Sequence, residues 1–151
     1  MNASDAFQYA LRALSARALT ERELEKKLKQ RKVTTSAITE ILERLRDYGF
    51  LNDAAIAQRA AENTSLGSYG VRQKLAARGI SKHLVEDALH SRDESVDFTA
   101  AFNLLERYQS RFVGERGQHK AYLFLVRRGF SSQTIRLALE QHGIDAPTKD
   151  C

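Results

Sequence analysis

The feature that most constrains this chain is a spacing that occurs three times. Leu24, Leu28, Arg31, Val33, Ile38, Ile41 and Leu42 move by 47 positions onto Val71, Leu75, Arg78, Ile80, Val85, Ala88 and Leu89. A further 50 positions give Ala121, Leu125, Arg128, Phe130, Ile135, Ala138 and Leu139, with no gap inside any copy. The apolar residues recur every three or four positions, the period of a helix with one buried face. A corner repeats with them: Arg31-Lys32-Val33-Thr34, Arg78-Gly79-Ile80-Ser81 and Arg128-Gly129-Phe130-Ser131. Glycine takes the positive φ that ends a helix, the apolar residue fills the corner, and Ser or Thr caps the next helix. Lys32 departs from this pattern. Either it adopts a left-handed backbone, at about 1 kcal/mol relative to glycine, or the first corner has another shape.

One more helix precedes each pair. Tyr9, Ala10, Arg12 and Ala13 shift by 47 onto Ile56, Ala57, Arg59 and Ala60, and in the third copy a longer helix over 98–111 supplies Phe102, Leu105 and Tyr108. Thr20-Glu21-Arg22-Glu23 has the form of a capping box. Gly49 suits a left-handed helix end, with Phe50 or Leu51 folding back. Eight glycines and one proline in 151 residues are too few turn formers for an all-β chain. The reading is all-α: three tandem three-helix repeats, 1–51, 52–92 and 93–143, with a tail at 144–151. Modules of this size are marginal alone, so end-to-end packing in an elongated, curved array is expected.

Several function classes drop out. No apolar run nears the roughly 20 residues needed to cross a bilayer. The one cysteine is Cys151, which excludes a disulfide scaffold or a cysteine zinc site and fits a reducing cytoplasm. The first twenty residues have a transit-peptide composition, but the repeat places them inside the fold. His83, His90, His119 and His142 make no metal-binding spacing, and no phosphate loop, dinucleotide fingerprint or nucleophile elbow is present. Gly67-Ser68-Tyr69-Gly70 reads as a loop entering a helix rather than a phosphate cradle. Asp93, Glu94 and Asp97 read as the dipole-favoured start of a helix. The chain reads as a non-enzyme without cofactor or metal.

The +5 net charge is unevenly placed. The second helix of each repeat, over 20–32, 68–78 and 115–128, carries a net +3, whereas the third helices are neutral or −1. The candidate contact residues for an anionic partner are Arg22, Lys26, Lys27, Arg31, Arg72, Lys74, Arg78, Arg127 and Arg128, expected to form a basic strip. The preference of cations for helix C-termini explains some of these, but not Arg22, Lys26 or Arg72. A helix-turn-helix DNA reader would need basic third helices, which this chain lacks.

The stretch Tyr48-Gly49-Phe50-Leu51-Asn52-Asp53 with Ala57 and Arg59, followed by Gly67–Gly70, Leu75 and Arg78-Gly79-Ile80-Ser81, closely resembles the RecX family. So does Arg127-Arg128-Gly129-Phe130. The resemblance runs from Ala6 to about Gly143; Lys32 at the turn and Asn52, where Asp is common, depart from it. It implies three tandem three-helix repeats and a bacterial regulator of the RecA recombinase, with no catalytic residues. Such a protein binds the groove of the RecA–DNA filament and blocks its growth or promotes its disassembly. Strand exchange and coprotease activity are thereby inhibited, which places it in DNA repair, homologous recombination and the SOS response. The expected partners are the RecA filament and DNA, single- or double-stranded, with no membrane; the expected state is a cytoplasmic monomer. The alternative is a nonspecific DNA-binding helical-repeat module.

Overall fold

The computed structural model describes residues 1–144; the expected tail, with Pro147 and Cys151, lies outside the described residues from 145 onward. Among the described residues there are nine α-helices and no strand. The first repeat holds α1 (Ala3–Ala16), α2 (Glu21–Gln30) and α3 (Thr35–Asp47). The second holds α4 (Asp53–Ala61), α5 (Ser68–Ala77) and α6 (Lys82–Leu89). The third holds α7 (Glu94–Tyr108), a 3-10 turn (Gln109–Phe112), α8 (Gly117–Arg127) and α9 (Ser132–His142).

The corner between second and third helices has one geometry in all three repeats. The amides of Val33, Ile80 and Phe130 donate to the carbonyls of Leu28, Leu75 and Leu125. Those of Lys32, Gly79 and Gly129 donate to Lys29, Ala76 and Val126. This double closure, with a left-handed residue between, is the Schellman ending. Lys32 takes that conformation at φ 59°, beside 82° for Gly79 and 86° for Gly129, so it carries the strain rather than changing the corner. Thr34, Ser81 and Ser131 then accept the amides of Ala37, Leu84 and Thr134 and cap the third helices. At the end of α3, Gly49 sits at φ 78°; Leu51 is the residue that folds back, and Phe50 stays exposed.

By contacts the described residues form two compact units, 1–59 with 75–86, and 60–74 with those from 87 on, so the middle repeat is shared between them. The core of the first unit gathers Ala10, Leu24, Leu28, Ile38, Ile41 and Leu45 from α1 to α3. That of the second gathers Ala101, Leu105, Leu125, Phe130, Ile135 and Leu139 from α7 to α9, together with Ile144, which the sequence reading leaves to the tail. At about 25 cal/mol per Å² of apolar surface, these buried side chains are what offset the ordering of the helices.

Candidate functional site

Each unit contains one joint between successive repeats, and in both a corner arginine and its carbonyl meet a second-helix start at the same repeat positions. In the first, the Thr20 hydroxyl, fully buried, donates to the Arg78 carbonyl at 2.7 Å. The Arg78 guanidinium donates to both carboxylate oxygens of Glu23, at 3.1 and 2.9 Å, and to the Ala18 carbonyl at 2.9 Å. Glu23 also accepts the Thr20 amide at 2.9 Å, completing the capping box of α2. Asp53, opening α4, accepts the first amide of α2, that of Glu21, at 3.0 Å.

In the second joint, 47 positions on, Gly67 replaces Thr20 and its amide donates to the Arg128 carbonyl at 2.8 Å. The amides of Tyr69 and Gly70 donate to the Gly129 carbonyl at 3.1 and 3.4 Å. Arg128 reaches the Ser65 carbonyl at 3.2 Å, as Arg78 reaches Ala18. Asp97 accepts the Ser68 amide at 3.3 Å, as Asp53 accepts that of Glu21. So the amides of Gly67, Tyr69 and Gly70, at the start of α5, go to carbonyls of this same chain, and that of Ser68 to a carboxylate. Asp97 is more than a dipole partner, because it ties α7 to the start of α5; Asp93 does cap α7, accepting the amides of Ser95 and Val96. Asp97 also pairs at 2.7 Å with Arg92, whose side chain is 2% exposed. Arg92 donates to the carbonyls of Ala61, Asn63 and Leu66 as well, so every arm of this buried cation is met.

Two carboxyls of the first joint are pushed in opposite directions. The hydrogen bond from Arg78 holds Glu23 below the usual glutamate range. Burial raises Asp53. Tyr48, exposed, stands five residues before Asp53, where Arg92 stands before Asp97.

The nine candidate cations therefore divide. Arg22, Lys26, Arg31, Lys74 and Arg127 are exposed, and Lys27 is half-buried along α2. Arg31 lies over the Tyr9 ring, 4.6 Å from its centre. Arg72 is half-buried and engaged. Arg78 and Arg128 face inward, the latter also stacked over Phe124 at 4.6 Å. The Arg92 cluster escaped the sequence reading because a lone arginine beside acidic residues looks like a solvated loop. The signal that could have found the joints was Asp53 and Asp97, each in the first turn of the first helix of its repeat.

No helix among the described residues is long and apolar enough to cross a membrane. Residues 6–45 match the family model described as the first three-helix domain of RecX. The regulatory protein RecX of Deinococcus radiodurans is 37% identical, over 88% of this chain and 66% of that protein, so the chain spans just under two thirds of that relative. The regulatory protein RecX of Chlorobium phaeobacteroides is 32% identical, over 90% of this chain and 92% of its own length. The crystal structure of RecX from Lactobacillus salivarius superposes with a TM-score of 0.80 at 25% identity, covering 95% of this chain and 97% of that one.

Proposed function

This chain belongs to the RecX family of regulatory proteins, and on that premise we propose that it acts by binding the groove of the RecA–DNA filament, in the cytoplasm and without catalysis of its own. Bound there, it restrains filament growth, strand exchange and coprotease activity. The modules that make the contact are the three repeats, 1–51, 52–92 and 93–143. The observation that carries the reading is the charge of the second-helix segments with their corners, net +3 over each of 20–32, 68–78 and 115–128, with Arg22, Lys26, Arg31, Lys74 and Arg127 exposed. A polyanionic filament rewards several weak cationic contacts spread over repeated modules, since each adds local concentration for the next. Arg78 and Arg128 contribute by holding the repeats together and only secondarily by their charge.

Co-sedimentation with RecA filaments on single-stranded DNA, beside DNA alone, tests this. The wild-type chain is expected to pellet with filaments and to lower RecA's ATP turnover at substoichiometric amounts. Reversing Lys26, Lys27, Arg31 and Lys74 to Glu is expected to cut filament binding at least tenfold and to flatten its salt dependence. Reversing the α3 acids Glu40 and Glu43 to Lys leaves binding intact. Equal pelleting with DNA alone, and unchanged ATP turnover, would identify a nonspecific DNA-binding module instead.

A further inference from the structure

The corner of the second repeat docks on the start of α2, and the corner of the third docks on the start of α5. The corner of the first repeat has the same backbone: the amide of Val33 closes on Leu28 and Lys32 is left-handed, as in the other two. Yet Arg31 and Lys32 are exposed, and the guanidinium that corresponds to those of Arg78 and Arg128 rests on Tyr9. Lys32 is the only non-glycine with positive φ among the described residues. A strained residue that glycine would relieve is kept where its side chain has work to do. Its exposed ammonium, next to Arg31, is the natural candidate for that work.

We propose that the first-repeat corner, Arg31-Lys32, is the point where this chain docks on a partner protein, taking the N-terminal turn of a partner helix that carries a carboxylate in its first turn. The model for the contact is the first joint, where the same corner position holds the Glu23 carboxylate by two guanidinium hydrogen bonds. The second-helix starts of a second copy of this chain do not fit. Its α2 and α5 starts are already taken, and at the start of α8 Lys120 stands in the place of Glu23, a like charge against Arg31. There Gly117 is backed by the Phe112 carbonyl, only 1.9 Å from where a Cβ would lie. At the 47-residue spacing Ala6 stands where Asp53 does, with Asp5 the acid in the first turn of α1, so the corner itself, Arg31-Lys32, offers two cations. A partner surface of acidic helix starts complements that set.

The inference rests on the filament reading and names the polypeptide, rather than the DNA, as what this corner touches. The test uses the full chain with filaments of RecA on single-stranded DNA. Lys32→Gly is expected to raise the thermal midpoint while weakening filament binding about threefold or more. Arg31→Glu with Lys32→Glu is expected to weaken it at least tenfold, and Lys82→Glu, an equal loss of charge type on α6, leaves it unchanged. A benzophenone attached at Gln30→Cys, in a Cys151→Ser background, is expected to cross-link to the RecA polypeptide at the first turn of a helix. Cross-links to DNA, to a second copy of this chain, or to nothing overturn the proposal. So does wild-type affinity in the Arg31/Lys32 double variant while the unaltered chain pellets. Failure of the unaltered chain to pellet overturns the filament reading, and the proposal falls with it.

Discussion

The joint between the first two repeats and the joint between the last two seat the same corner on the same helix start, but with different atoms. The first relies on side chains: a threonine hydroxyl, a glutamate and an arginine whose side chain is about a quarter exposed (24%). The second brings backbone onto backbone. Gly67, Gly70 and Gly129 lie so close that a Cβ on any of them would stand 2.4, 2.5 and 2.0 Å from main-chain atoms of the facing segment. Its ionic element, Arg92 with Asp97, has withdrawn from water. One topology thus tolerates two chemistries, provided that each satisfies the amides and carbonyls it covers. The side-chain version responds to pH and salt; the backbone version responds to volume.

The sharpest way to break this contrast is to place the same methyl group in both joints. Gly129→Ala meets the Gly70 amide nitrogen, which has nowhere to move, and adds the cost of φ 86°. A loss of about 3 kcal/mol or more is expected by urea unfolding. Gly79→Ala meets the Arg22 side chain rather than main chain: Cδ at 2.3 Å can swing away, but Cβ at 2.8 Å moves only with α2, so the cost is the left-handed backbone, about 1 kcal/mol, plus a small local shift, and stays below that of Gly129→Ala. Equal losses would mean that the two corners are packed alike.

The next test separates the carboxyls of the first joint. Glu23 has a depressed pKa in the folded chain, so its contribution is present above the ordinary glutamate range and is lost as pH falls through the lower folded value. Asp53 has a raised pKa, so its ionisation opposes folding and that penalty lifts as pH falls. Glu23→Gln is expected to cost about 1 kcal/mol at neutral pH and to flatten the acid limb of the stability curve. Asp53→Asn costs nothing at neutral pH, because the amide oxygen still accepts from Glu21 and no charge is buried. Thermal midpoints across the pH range check both signs. A Glu23→Gln chain that keeps the wild-type acid limb would show that Arg78 does not control it.

The smallest effect distinguishes the first corner from the other two. Lys32→Gly is expected to stabilise by at most about 1 kcal/mol, through relief of φ 59°. A destabilisation, read from the same urea transitions, would mean that the lysine side chain holds the corner.

These joints also mark where the sequence stops being readable. The helices, the Schellman corners and the capping residues follow from spacings of a few residues, and the apolar positions are found buried as that spacing requires. The arginines at the corners are different. Arg31, Arg78 and Arg128 occupy one repeat position, yet one lies on its own repeat's Tyr9, one is paired with Glu23, and one is stacked on Phe124 and bonded to Ser65. An i, i+4 basic pattern looks the same whether the cations meet solvent or a preceding repeat, because the deciding partner is some sixty residues away. The same distance hid the role of Gly67 and Gly70, whose amides are claimed by the third corner. Lys32 was legible only as a choice between strain and a different turn, since both satisfy the same local residues.

Both joints point upstream: Arg78 closes on Thr20 across 58 positions, and Arg128 on Ser65 across 63. A chain emerging N-terminus first, at about 5–20 residues per second, leaves the start of α2 without its arginine for roughly 3–12 s of synthesis. During that interval the Thr20 hydroxyl and the Glu23 carboxylate have their capping-box partners at the start of α2 but not Arg78. The second repeat finishes the first, and the third finishes the second, so newly made protein acquires its native contacts in a fixed temporal order. A ribosome stalled between Asp47 and Arg78 therefore presents a first repeat whose helices are written in full but whose closing bonds do not yet exist.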